Sequence, residues 1–99
     1  MKRVKSVQDT HDRKVRQIAK ELEKQNWNVQ ADLSDYDIPE GIGKGGYIPD
    51  IFATKGSKIK IIEVDTPGTE KADQLSAFRR SVGQRDKAEF EHVITKPKK

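Results

Sequence analysis

Residues 47–65 have the sequence YIPDIFATKGSKIKIIEVD, in which a short polar segment separates two apolar blocks. One acid interrupts each block, Asp50 in the first and Glu63 in the second. Strands that are apolar at nearly every position occur where both faces of a sheet are covered. The pattern therefore predicts two buried strands, at residues 47–54 and 58–65.

The segment between the blocks, Lys55-Gly56-Ser57-Lys58, is typical of a β-hairpin with a two-residue type II′ turn. In that register Asp50 lies directly opposite Glu63 on one face of the sheet, with Cβ atoms roughly 5 Å apart. Two partly buried carboxylates at that distance repel each other, which raises a pKa or attracts a cation such as Mg²⁺. The alternatives are a three-residue loop, which would separate the acids, and two strand-end acids that face solvent.

A helix is predicted before the hairpin, because apolar residues recur there at helical spacing, at Val15, Ile18, Ala19 and Leu22. We expect it to extend from about Asp9 or Thr10, one of which would be its N-cap, to Gln25. Alternating apolar and polar residues at 27–33 predict an edge strand next.

After the hairpin, Thr69 is the expected N-cap of a second helix, which Gly83 would end. Residues 89–95 are expected to form the last strand. The order helix, strand, strand, strand, helix, strand predicts an α/β fold with a mixed central sheet and a helix on each face. Ninety-nine residues suffice for one domain, residues 1–99, with a core at about 9–95 and basic tails.

The composition excludes several classes of site. The chain has no cysteine, which rules out disulfides and zinc–thiolate sites. His11 and His92 have no metal-binding spacing, so we expect both to be surface or packing residues. No apolar segment approaches a membrane span and no signal-peptide core follows the basic N-terminus, so the expected location is cytoplasmic, without a membrane partner.

Basic residues suggest a nucleic-acid partner. Lysine and arginine exceed the acids by four, and Arg79, Arg80 and Arg85 crowd one late segment. The basic tails taken alone fit solvated termini equally well. Lys44 lies in a glycine-rich loop, residues 34–46, which contains G-x-G-x-x-G by letter. A strand follows that loop where a dinucleotide site needs a helix, so we reject that motif.

At Pro49-Asp50 and Glu63-Val64-Asp65 the sequence resembles the PD-(D/E)xK nucleases, which have the restriction-endonuclease-like fold. The predicted element order matches the α-β-β-β-α-β core of that family. Residues 74–78, Gln-Leu-Ser-Ala-Phe, are similar to a Gln-x-x-x-aromatic element found in several of its branches. The resemblance implies a metal-dependent endonuclease that hydrolyses phosphodiester bonds in nucleic acid, foremost DNA.

The resemblance also implies roles for single residues. Asp50, Glu63 and the backbone carbonyl of Val64 would bind one Mg²⁺ or Mn²⁺. Gln74 would position a metal-bound water or a phosphate, or it is a surface glutamine. Glu21 would complete the site as a helix acid, or it is a salt-bridged surface glutamate.

One residue departs from the family's pattern. Asp65 lies where the family has a lysine that orients the attacking water. Strand alternation places Asp65 on the same face as Glu63, where it would add a third metal ligand. Lys71 is the first candidate to replace the missing lysine, and Lys44 is the second.

Three functions therefore stay open. The first is an active metal-dependent endonuclease. The second is a catalytically inactive nuclease-fold module that uses its arginines to bind nucleic acid or a protein partner. The third is a protein–protein subunit without a nucleic-acid role. Because the chain is short, we expect a homodimer or a place in a larger assembly.

Overall fold

The computed structural model describes residues 5–68 and 71–95, and for residues 5–7 the backbone alone. Two helices and four strands follow one another in the order helix, strand, strand, strand, helix, strand, which confirms the predicted α/β order. They are α1 (Lys5–Lys24), β1 (Asn28–Ala31), β2 (Ile51–Lys55), β3 (Lys58–Asp65), α2 (Ala72–Gly83) and β4 (Ala88–Ile94).

The strands form one mixed sheet in the order β1-β2-β3-β4. The β1–β2 and β2–β3 pairs are antiparallel, whereas β3 and β4 are parallel because α2 provides the crossover between them. This arrangement confirms the predicted mixed sheet, and it confirms that β1 lies at an edge.

The hairpin between β2 and β3 has the predicted register. Lys55 pairs with Lys58, and Ile51 pairs with Ile62. Gly56 has a φ of +60°, as the first central residue of a type II′ turn requires. One step beyond the last ladder pair, Asp50 comes opposite Glu63.

The helices cover opposite faces of the sheet, as the sequence predicts. The α1 face is a cluster of small and branched side chains, namely Val15, Ala19, Leu22, Ile51, Ala53, Ile62 and Val64. The α2 face is a separate cluster built around Phe78, Ile61 and Ile42, with Phe52, Ile59 and Phe90 packed against it. Each fully buried valine, leucine, isoleucine or phenylalanine among them contributes roughly 1.5–3 kcal/mol, so the two clusters explain why the helices dock where they do.

Several element ends differ from the predictions. Helix α1 already includes Lys5, so the prediction that Asp9 or Thr10 is its N-cap was wrong. Gln8 donates to Asp12 across one turn at 2.7 Å, a pair that stabilises the helix through this region. The predicted cap Thr69 lies outside the described residues. Lys71 occupies the N-cap position of α2 without a side-chain capping bond.

The strand predicted to begin at Tyr47 begins instead at Ile51. Pro49 has no N–H to donate to a ladder, so regular pairing starts only after it. The preceding glycine-rich segment closes on itself, because Ile42 and Tyr47 form an isolated antiparallel bridge. A Cβ on Gly41 would lie 2.7 Å from the carbonyl oxygen of Gly46, so this approach requires glycine.

Candidate functional site

Asp50 and Glu63 lie next to each other at the end of the hairpin. The Asp50 N–H donates to Glu63 Oε1 at 3.2 Å, and the Val64 N–H donates to Asp50 Oδ2 at 2.8 Å. Each acid is only 7% exposed. The structure therefore brings together the two carboxylates that the sequence paired by register.

Glu63 is the acid that carries the electrostatic conflict of this pair. Burial, followed by the charge of Asp50 and then that of Asp65, raises the pKa of Glu63 to about 9. Gln74 of α2 donates to Glu63 Oε2 at 2.8 Å, and this bond fixes the carboxyl group in place. At neutral pH, Glu63 therefore retains its proton unless a cation joins the site.

His11 of α1 contacts the same acid pair, although the sequence suggested only a surface or packing role. Its Nε2 lies 3.1 Å from Asp50 Oδ2, and its Nδ1 lies 3.0 Å from Asp12 Oδ1. A neutral imidazole donates from one nitrogen only, so both contacts are donor bonds when the ring is protonated. The available signal was position, because His11 precedes Val15 by four residues on the buried stripe.

His92 of β4 contacts Asp65, again unlike the surface or packing role expected. Its Nε2 lies 2.8 Å from Asp65 Oδ2, and Asp65 is 3% exposed. Alternation does place Asp65 on the Glu63 face, as expected. In the parallel ladder His92 pairs with Glu63, so the strand register explains why this histidine reaches the acids.

A further acid adjoins this cluster. The Asp32 N–H donates to the Asp50 carbonyl oxygen at 2.9 Å, directly after β1. Burial, and then the charge of Asp50, raises the pKa of Asp32. Asp32 was not among the predicted site residues, because nothing in the local pattern shows that the end of β1 lies beside Asp50.

The backbone carbonyl of Val64 has no N–H opposite it in the β2–β3 ladder. Extending the β2–β3 register by two residues puts Pro49 opposite Val64. Proline has no N–H, so β2 has no donor to offer that carbonyl. The Pro49-Asp50 dipeptide thus ends the ladder and places a carboxylate at the same point.

These groups fit a hard divalent cation. Two adjacent carboxylates and a backbone carbonyl are oxygen donors, and Mg²⁺ is bound in proteins through one or two carboxylates while it keeps several waters. Within residues 5–68 and 71–95, no group of three or more histidine, aspartate or glutamate side chains is arranged around a metal position. The fit therefore depends on Asp50, Glu63 and Val64.

Two other predicted site residues, Glu21 and Lys71, are exposed. Glu21 is exposed on α1 and lines a surface hollow with Lys60 and Glu91, on the face opposite to Glu63. It follows His11 by ten residues, which is about 15 Å along a helix. Lys71 is exposed at the N-terminus of α2, three residues before Gln74.

The predicted basic residues divide into two places. Lys44, Arg80 and Arg85 line one surface hollow together. Arg79 instead lies over the ring of Phe90, with its guanidinium carbon 5.6 Å from the ring centroid. The charge cluster seen in the sequence therefore contributes two of its three arginines to this surface, and the glycine-rich loop contributes Lys44.

The sequence matches no protein-family model and no curated protein. Among the described residues, no helix is long and apolar enough to cross a membrane.

Proposed function

We propose that this protein is a metal-dependent nuclease with a restriction-endonuclease-like fold, which hydrolyses phosphodiester bonds in nucleic acid, foremost in DNA. The observation that carries the proposal is the buried pair of Asp50 and Glu63 at the end of the hairpin. The α-β-β-β-α-β element order supports the fold assignment. The resemblance of Pro49-Asp50 and Glu63-Val64-Asp65 to the PD-(D/E)xK motif supports the reaction class.

Mg²⁺ or Mn²⁺ bound by Asp50, Glu63 and the Val64 carbonyl would activate a water and stabilise charge on the phosphate. The protein's own contribution is positioning. The Val64 N–H and His11 orient the Asp50 carboxylate, and Gln74 orients that of Glu63. Such supporting hydrogen bonds commonly tune metal affinity and ligand geometry.

The cation that replaces the missing family lysine is assigned in this proposal to Lys71. It is exposed at the start of α2, close in sequence to Gln74, whose amide contacts Glu63. Lys44 is the second candidate. A Lys71→Gln variant that keeps metal affinity but loses cleavage would support the assignment, and full cleavage by that variant would remove it.

The proposal is tested by cleavage of labelled linear and branched DNA and RNA, with and without Mg²⁺ or Mn²⁺. Asp50→Asn and Glu63→Gln keep the side-chain shapes and remove the carboxyl groups that would bind the ion. Glu40→Gln removes a charge from an exposed loop acid as the matched control. We expect metal-dependent cleavage that both site variants abolish and the control retains. Cleavage that persists in both site variants would contradict the proposal.

Metal binding itself is measured by calorimetry at pH 7.5 in buffers of different ionisation enthalpy. Because the pKa of Glu63 is raised to about 9, an ion that binds its carboxylate must displace a proton. We expect release of about one proton per bound ion, and neither binding nor release in Glu63→Gln. Binding without proton release would place the ion elsewhere.

A second function, an inactive nuclease-fold module that binds nucleic acid or a protein partner, is favoured by the Asp65–His92 contact. Asp65 is an acid at the position where catalysis in the family uses a lysine, and His92 holds it in place. The absence of cleavage together with retained salt-sensitive binding would select it.

Dimer formation is a further part of the proposal, which sedimentation at several protein concentrations tests.

A further inference from the structure

A groove lies between the glycine-rich segment, residues 41–47, and helix α2. Its volume is about 780 Å³. A Cβ on Gly43 would lie 3.5 Å from the Cβ of Ala77, so the glycine-rich segment packs directly onto α2 and forms one wall of the groove. The residues that define its chemistry are Lys44, Tyr47, Asp73, Ser76, Arg80 and Arg85.

The groove is positively charged. Three cations, Lys44, Arg80 and Arg85, line it against one acid, Asp73. All three cations are exposed, and none forms a salt bridge with an acid in the described part of the chain. Such unpaired cations on a concave surface attract an anionic chain, and the phosphate backbone of a nucleic acid is the common polyanion that cations of this kind neutralise.

Tyr47 gives the groove an aromatic wall. The Tyr47 ring lies against the backbone of Gly45, where an added Cβ would come within 2.6 Å of it. The ring also packs against the cluster of Ile42, Ile61 and Phe78, yet it stays partly exposed. A fixed, half-exposed ring within a cationic groove is the combination by which proteins bind unpaired bases, which stack on aromatic side chains.

The α2 wall of the groove extends toward Gln74, the residue that contacts Glu63. Its lining residues on α2 run from Asp73 to Ser81, about 12 Å along the helix. At the near end, Asp73 adjoins Gln74, whose amide donates to Glu63. The α2 wall of the groove thus ends one residue from the glutamine that contacts the acid pair.

We propose that this groove binds single-stranded nucleic acid, with phosphates on Lys44, Arg80 and Arg85 and a base stacked on Tyr47. The strand enters past the C-terminal end of α2 and reaches the carboxylate pair at the other end. This last step rests on the proposed nuclease function, whereas the binding step does not. An aromatic platform has no use for a base that is paired inside a duplex, so the favoured substrate is a single strand or a frayed end.

The test is fluorescence anisotropy with a labelled 12-nucleotide oligothymidylate and with a duplex of equal length, in EDTA so that cleavage plays no part. We expect tighter binding of the single strand. Arg80→Gln combined with Arg85→Gln should weaken binding at least tenfold and reduce the salt slope by about 0.7 for each lost phosphate contact. Tyr47→Leu should weaken binding about fivefold or more, and Tyr47→Phe should retain it.

The matched control is Lys55→Gln with Lys58→Gln, which removes the same charge at the exposed hairpin turn. Melting curves verify that each variant is folded. The proposal is overturned if the duplex binds as tightly with Tyr47→Leu unaffected, if the control pair weakens binding equally, or if an acidic peptide binds and no nucleic acid does. Groove-dependent binding without cleavage would contradict only the nuclease proposal. Cleavage without groove-dependent binding would contradict only the groove proposal.

Discussion

Two halves of the same strand face differ sharply. On the α2 side of β3, Ile61 packs with Phe78 in an apolar cluster, whereas Glu63, the next side chain on that side, belongs to a cluster of acids and histidines. Helix α2 changes in step, since Phe78 contacts the apolar half and Gln74 the acidic half. The step from Phe78 to Gln74 along α2 and the step from Ile61 to Glu63 along β3 both span about 6 Å. The change from apolar to acidic therefore occurs between consecutive side chains on both elements.

Each half makes different requirements of the residues around it. The apolar half needs only shape, and Phe78 and Phe90 meet there with ring centroids 5.8 Å apart. The acidic half needs a donor for every buried oxygen, because an unsatisfied buried acceptor costs about 1–3 kcal/mol. Its donors come from α1, α2, β3 and β4, so the acidic half depends on more distant parts of the chain.

Truncating Phe78 in the apolar half should destabilise the protein more than any other change considered. Phe78 is fully buried, so Phe78→Ala should lower the free energy of unfolding by about 3–5 kcal/mol through lost contacts and a cavity. No charge is involved, so the loss should be equal at pH 5 and pH 8. Urea denaturation at the two values measures it, with the milder Phe78→Leu in reserve if the alanine variant does not fold. A loss that grows with pH would mean that the two halves are coupled.

In the acidic half, the contribution of Glu63 to the free energy of unfolding should depend on pH. Between about pH 4.5 and pH 9, native Glu63 binds a proton that the unfolded chain has released, because its folded pKa is raised. Stability from this residue therefore falls as pH rises through that window. Glu63→Gln removes the cost, and Gln74 can turn its amide to present an oxygen to the new side chain.

We expect Glu63→Gln to be more stable than the natural chain at pH 8 by at least about 1.4 kcal/mol, the equivalent of one pKa unit. The midpoint of thermal unfolding should rise by about 5 °C. At pH 5 the two chains should differ little. Glu40→Gln, at an exposed loop acid, is the control and should change nothing at either pH. An equal gain at both pH values would argue against a raised Glu63 pKa.

The local parts of this comparison were predictable from the sequence. The hairpin register was predictable because the two-residue turn at Gly56 determines which residues pair. The sheet face of Glu63 and Asp65 was predictable because side chains alternate strictly along a strand. Element ends were less predictable. The predicted start of α1 was wrong, because Asp9 and Thr10 can cap a helix but are also tolerated inside one.

The acidic half was only half predictable. Asp50 and Glu63 are related by one hairpin, so counting residues suffices to pair them. His11 approaches from a helix 39 residues away in sequence, and His92 arrives by a parallel crossover 27 residues beyond Asp65. Register within a parallel pair is not determined by a turn, so counting residues cannot place His92 beside the acids.

The smallest expected change in stability comes from His11 and Glu21 of α1, and it tests which of the two belongs to the acidic half. His11→Gln retains one donor and loses one of the two carboxylate contacts, so it should cost about 1 kcal/mol. Glu21→Gln, ten residues along the same helix, should change the free energy of unfolding by less than about 0.5 kcal/mol, because Glu21 is exposed. Urea denaturation of both variants at pH 7 makes the comparison. A larger cost at Glu21 than at His11 would contradict the assignment of His11, and not Glu21, to the acidic half.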